Sequence, residues 1–92
     1  MSNKVPSPRI AIKEKCTLSF NGLDFQGVSE NVSLSGALIK LNDKITNNIH
    51  PGDNCDLMFN NERHFYPIKY ISKVVRVDSE NIGIQFFEFD IL

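Results

Sequence analysis

The stretch Ile10-Ala11-Ile12-Lys13-Glu14-Lys15-Cys16-Thr17-Leu18-Ser19-Phe20, followed at once by Asn21-Gly22, decides the fold class. Ile10, Ile12, Cys16, Leu18 and Phe20 fall on one parity, and Ala11, Lys13, Lys15, Thr17 and Ser19 on the other; only Glu14 breaks the alternation. A period of two with the charges gathered on one face describes a half-buried antiparallel strand, since an amphipathic helix would need apolar residues three and four apart. Asn21-Gly22 readily takes the two positive φ angles of a type I′ turn, so the chain is expected to return at Leu23 as the second strand of a hairpin.

Working outward, the second strand runs through Phe25 to about Val32, and after a break at Ser35-Gly36 a third carries Ala37, Ile39 and Leu41 on one face. Residues Asn42 to Asp53 are polar and irregular. Leu41, Ile45 and Ile49 have helical spacing, but Thr46, Asn47 and Asn48 are poor helix formers, so the stretch reads as a loop. Pro51-Gly52-Asp53 punctuates, and Cys55, Leu57 and Phe59 alternate into a fourth strand. A fifth is expected from about Phe65 to Val77, with Pro67 forcing an edge or a bulge. Its part from Ile71 to Val77 is apolar on both parities, which implies cover on both sides. A turn at Asp78 to Asn81 leads to the sixth strand, with Ile82, Ile84 and Phe86 on one face, and then to Phe87-Glu88-Phe89-Asp90-Ile91-Leu92. Six strands with little or no C-terminal helix point to an all-β, antiparallel closed barrel rather than a sandwich, because closure removes the exposed edges that invite aggregation.

A chain of 92 residues accommodates one domain, and its 41% hydrophobic and 23% charged content is that of a sequence that folds. Ten Lys and Arg against eleven Asp and Glu leave a net charge of -1, which argues against a nucleic-acid polymer as partner but leaves a small anion open. Lys4, Arg9, Lys13 and Lys15 face only Glu14 in the first fifteen residues, so residues 1–8, which include Pro6-Ser7-Pro8, are read as a flexible basic arm and residues 9–92 as the barrel domain. No apolar run reaches membrane-spanning length and no secretory leader is recognisable, so a cytoplasmic protein without membrane insertion is expected. Cys16 and Cys55 form no CxxC pair and lie far in sequence from His50 and His64. No metal or cofactor is expected, and both thiols read as small buried hydrophobes. The acidic residues are scattered without a paired acid and base, so the chain is not expected to be an enzyme.

The chemistry-bearing stretch is Asn31-Val32-Ser33-Leu34-Ser35-Gly36, at the junction of the second and third strands. Asn31 offers a carboxamide donor and acceptor and Ser33 a hydroxyl of both kinds, while Gly36 allows positive φ or close backbone approach. Such groups suit the edge of a nucleobase. They equally suit a turn whose side chains satisfy its own backbone, and residue types alone leave both readings open.

With these residues, the chain resembles the PilZ domain family of barrels that bind the bacterial second messenger cyclic di-GMP. The resemblance covers roughly Pro8 to Phe87. It rests on Asn31, Ser33 and Gly36 matching the motif [DN]xSxxG, on the basic lead-in, and on Ile82-Gly83-Ile84-Gln85-Phe86, which is similar to the family's Gly-containing last strand. It implies a six-stranded barrel with the ligand held where the amino-terminal arm meets the rim. The family's RxxxR motif is incomplete: Arg9 stands before the first strand, but four residues earlier the chain has Val5. Lys4 adjoins that position, and Lys13 follows Arg9 at the same spacing, which keeps a second register open. The ligand-binding residues implied are Lys4, Arg9, Asn31, Ser33 and Gly36. The alternative is a PilZ-like adaptor that takes no nucleotide and meets a protein partner, or a second copy of itself, through the aromatic end Phe86, Phe87 and Phe89.

Overall fold

The computed structural model describes residues 13–42, 48–60 and 68–91. Six strands run through them: β1 Lys15–Phe20, β2 Leu23–Val32, β3 Gly36–Leu41, β4 Asn54–Phe59, β5 Ile68–Val77 and β6 Asn81–Ile91. Each neighbouring pair is antiparallel, and the ladder closes on itself in the order β1-β2-β3-β6-β5-β4. The barrel expected from the strand pattern is the architecture, and the described residues contain no helix. The expected arm, Ile10, Ile12, Pro67 and the start assigned to the fifth strand at Phe65 lie outside the described residues.

Alternation places the core. Cys16 and Leu18 of β1, Ala37, Ile39 and Leu41 of β3, Cys55 and Leu57 of β4, and Ile82 and Ile84 of β6 are all buried, on the parities legible in the sequence. Phe20, Phe59 and Phe86 pack partly buried against them. Full burial of each Leu or Ile stabilises the fold by about 1.5–3 kcal/mol. The first hairpin turns on Asn21 and Gly22 at φ 53° and 79°, with Phe20 opposite Leu23, as the type I′ reading requires.

Among the described residues three bulges interrupt this regularity, each by one extra residue. Glu30 is the extra residue of β2, between Ser29 opposite Ile39 and Asn31 opposite Leu38. Val75 is the extra residue of β5 and Phe87 that of β6. Because side chains alternate across a sheet, each insertion exchanges the inward and outward parities beyond it. The two-sided apolar run Ile71 to Val77 is therefore not a strand covered on both sides: Val74 is buried, but Val75 bulges outward and is half exposed. The stretch read as a loop after Leu41 also does more than connect. Its Ile49 is buried in the core. The N–H of Gly52, at φ 98°, donates to the Val74 carbonyl at 2.7 Å, and the Val74 N–H donates to the Asp53 carbonyl at 2.8 Å, which ties the connection to β5.

Candidate functional site

Six strands of alternating direction sort the chain between the two ends of the barrel. Asn21-Gly22, the β3–β4 connection with Ile49 and the Asp78–Glu80 turn lie at one end. The entry into β1, the β2–β3 turn, the end of β4, the start of β5 and the end of β6 lie at the other. The Asn31 to Gly36 motif is thus at the end where the chain enters the barrel.

That entry is fastened beside the motif. The Glu14 N–H donates to Ser29 Oγ at 3.0 Å, and the Ser29 N–H donates to the Glu14 carbonyl at 2.9 Å. Lys13 Nζ donates to Glu30 Oε2 at 2.5 Å, and this ammonium holds the Glu30 carboxyl below its ordinary pKa. Glu30 is also the bulge residue. Before it, Gly27 and Ser29 are the buried positions of β2; beyond it Val32 takes the inward place, opposite buried Ala37. Asn31 stands opposite Leu38 on the other face. Without the bulge, Asn31 would share the inward parity of Ser29. The inserted residue is what carries its carboxamide to the outside of the barrel.

Ser33 organises the turn that follows. Its N–H donates to the Gly36 carbonyl at 2.8 Å and its hydroxyl to the same oxygen at 3.3 Å, while Ser33 Oγ accepts the Ser35 N–H at 3.2 Å. The Ser33 and Ser35 hydroxyls lie 3.1 Å apart. The turn-forming role is therefore realised in Ser33, whose hydroxyl keeps only part of its capacity for another molecule. Gly36 has a different cause. Its φ is not positive, so backbone freedom is not the reason for glycine here. A Cβ at this position would collide with the carbonyl oxygen of Ile84, because β3 meets β6 there, with Gly36 opposite Gln85 and Ala37 opposite Ile84. The Phe86 N–H donates to the Ser35 carbonyl at 2.8 Å, which fixes the turn against β6.

Of the five residues singled out from the sequence, the barrel brings Asn31, Ser33 and Gly36 together at one rim; Lys4 and Arg9 lie outside the described residues. Sequence reasoning missed Glu30 and Ser35. The signal for the first was a slip of phase between Ser29 and Val32, two inward positions three apart in sequence where a regular strand requires an even step. Lys13, the residue of the second arginine-lysine register, is engaged by Glu30.

Chemically, this rim offers, among the described residues, neutral hydrogen-bonding groups and a lysine paired with the Glu30 carboxylate, a set suited to recognition. The described residues include no cluster of His, Cys, Asp or Glu placed to hold a metal ion. Cys16 and Cys55 are buried and unpaired, as their strand positions implied. Burial pushes their thiols up to about 11 and about 12, the second helped by Asp56 and Asp53, so neither is a thiolate at neutral pH. No helix among the described residues is long and apolar enough to cross a membrane.

A family model described as the PilZ domain matches residues 4–91. The fold is similar to the crystal structure of the PilZ domain of CeSA from a cellulose-synthesizing bacterium, with a TM-score of 0.74 over 89% of this chain and 82% of that one. Identity to it is 13%, so the likeness is one of fold. No curated protein matches the chain.

Proposed function

Because the chain belongs to the PilZ domain family, whose members are binding and signalling domains that generally take cyclic di-GMP, we propose that this barrel is a cytoplasmic, non-catalytic receptor for that nucleotide. The observation that carries the proposal is the fastening of the chain's entry, through Lys13 and Glu30, directly beside Asn31. Arg9 precedes Lys13 by four residues, a tether of at most about 14 Å when extended, which keeps its guanidinium within reach of the motif rim. In this reading Arg9 grips guanine or phosphate, with Lys4 adding charge, and Asn31 hydrogen-bonds a guanine edge. Ser33 and Gly36 hold the turn in shape. Ligand binding then draws residues 1–8 to the rim and changes the surface offered to a partner.

Val5 in place of the family's first arginine sets the expected strength. A guanidinium forks to phosphate or to guanine O6 and N7, whereas a lysine supplies a point charge. Losing one such contact costs about 1–3 kcal/mol, roughly tenfold to a hundredfold in affinity. Titration calorimetry with cyclic di-GMP on the parent chain, Arg9→Ala and Val5→Arg is the test. Weak saturable binding is expected in the parent, its loss in Arg9→Ala and its tightening in Val5→Arg. No heat at high micromolar nucleotide in any of the three overturns the receptor reading.

A second reading is favoured by a separate observation: Phe87 and Phe89 are exposed, at 59% and 64%. In that reading the barrel is an adaptor whose aromatic end contacts another protein without nucleotide.

A further inference from the structure

β6 outruns the barrel. From Ile82 to Gln85 it is paired on both sides, with β3 and with β5. Beyond Gly36, the partner of Gln85, the chain turns away through Ser33–Ser35. From Phe87 to Ile91 β6 then pairs only with β5, from Ile71 back to Ile68. Among the described residues no strand lies along its other edge.

The bulge at Phe87 decides which side chains this edge presents. Before it Ile82, Ile84 and Phe86 face inward; beyond it Phe89 and Ile91 do, opposite Tyr70 and Ile68. Phe89 and Ile91 are each 64% exposed. A groove of about 420 Å³, lined by Leu34, Tyr70, Phe86, Phe87, Glu88 and Phe89, runs from here to the motif turn. Between the apolar residues stand two carboxylates, Glu88 and Asp90; β5 sets Ile71 opposite the first and Lys69 opposite the second, and among the described residues neither carboxylate forms an ion pair.

An apolar strand edge of this kind is a template for another strand. The charge pattern says which. A second copy of this chain would add antiparallel across a twofold axis, and every register that sets more than one apolar residue of Phe87–Ile91 opposite another apolar residue also sets Glu88 or Asp90 opposite Glu88 or Asp90. Like charges directly opposite are destabilising. We propose that the Phe87–Ile91 edge accepts an extended segment of a partner protein in which apolar residues alternate with lysine or arginine. The segment takes up the line that β3 leaves at Gly36, its apolar side chains entering the groove and its cations meeting Glu88 and Asp90. This deepens the adaptor reading and rests on it, independently of nucleotide binding.

The test uses the full chain, isotope-labelled, with no nucleotide present, so its failure leaves the receptor reading untouched. Two seven-residue peptides are the probes, one alternating valine with lysine and the other valine with glutamate. Binding of the lysine peptide is expected to shift the amides of Phe87–Ile91, with a preference of about tenfold or more over the glutamate peptide. In the double variant Glu88→Lys, Asp90→Lys the preference reverses. Equal affinity for the two peptides, or no binding of either, overturns the proposal. So does sedimentation showing a dimer built on this edge, or slow hydrogen exchange at Phe87–Ile91 in the free monomer, which would mean that the chain's own residues already cover it.

Discussion

The two halves of β6 carry the same kind of residue and meet opposite fates. In Asn81–Phe86, Ile82 and Ile84 alternate with Gly83 and Gln85, and both isoleucines are buried. In Phe87–Ile91, Phe87, Phe89 and Ile91 alternate with Glu88 and Asp90, and all three are more than half exposed. Propensity and periodicity do not separate the halves. What separates them is the length of β3, which pairs with the first half and ends where Ser33 makes its turn. The motif that marks the candidate ligand site is therefore also what leaves the end of β6, among the described residues, without a second neighbouring strand.

Substitution makes this contrast measurable. The largest effect is expected at Ile84→Ala, where a cavity opens in a core with little room to collapse; urea denaturation should register a loss of about 2–5 kcal/mol. Gly36→Ala attacks the boundary between the halves. Its new Cβ has no space beside the Ile84 carbonyl, so β3 and β6 must separate locally, at a cost of about 1–3 kcal/mol in the same assay. A wild-type midpoint for this variant would mean that the strands do not approach closely at the turn.

An alkaline effect is expected from the closed part of the barrel, where both thiols are buried. Cys16 and Cys55 have raised pKa values in the folded state, so the native protein holds those protons more tightly than the unfolded chain does. Their contribution is complete below the ordinary thiol pKa and is lost as pH climbs from about 9 towards 11 and 12. Denaturation midpoints should fall over that window, less steeply in Cys16→Ala. Smallest of all, Phe89→Ala should change stability by about 0.5 kcal/mol or less, because the ring is more than half exposed and, among the described residues, no strand lies on one side of it. A loss comparable to that of Ile84→Ala would show that the second half of β6 is covered after all.

Much of this is legible in the sequence. Short windows of alternation identified the inward faces of β1, β3, β4 and the first half of β6, and Asn21-Gly22 named its own turn, because a side-chain period of two and a pair of positive φ angles are local properties. The bulges were not legible in the same way. One inserted residue changes the outcome for everything beyond it, yet within a window it looks like noise, so Val75 read as covered when it faces out. Adjacent apolar pairs at the slips, Val74-Val75 and Phe86-Phe87, were the available hint. Ile49 was missed for another reason: its burial comes from how the β3–β4 connection folds over the barrel end, and no local pattern encodes that. At the candidate site, Asn31, Ser33 and Gly36 were found by spacing. That Gly36 serves close strand approach, and that Glu30 turns Asn31 outward while holding Lys13, needed the register of β2 against β3 and of β3 against β6.

The most direct test of the central claim follows the backbone amides of the labelled chain during cyclic di-GMP titration. The account predicts saturable shifts concentrated at Arg9 and from Glu30 to Gly36, with Asn21-Gly22 and Gly52 at the opposite end unmoved. An unchanged spectrum at high micromolar nucleotide, or shifts that spare Asn31 to Gly36, would contradict it.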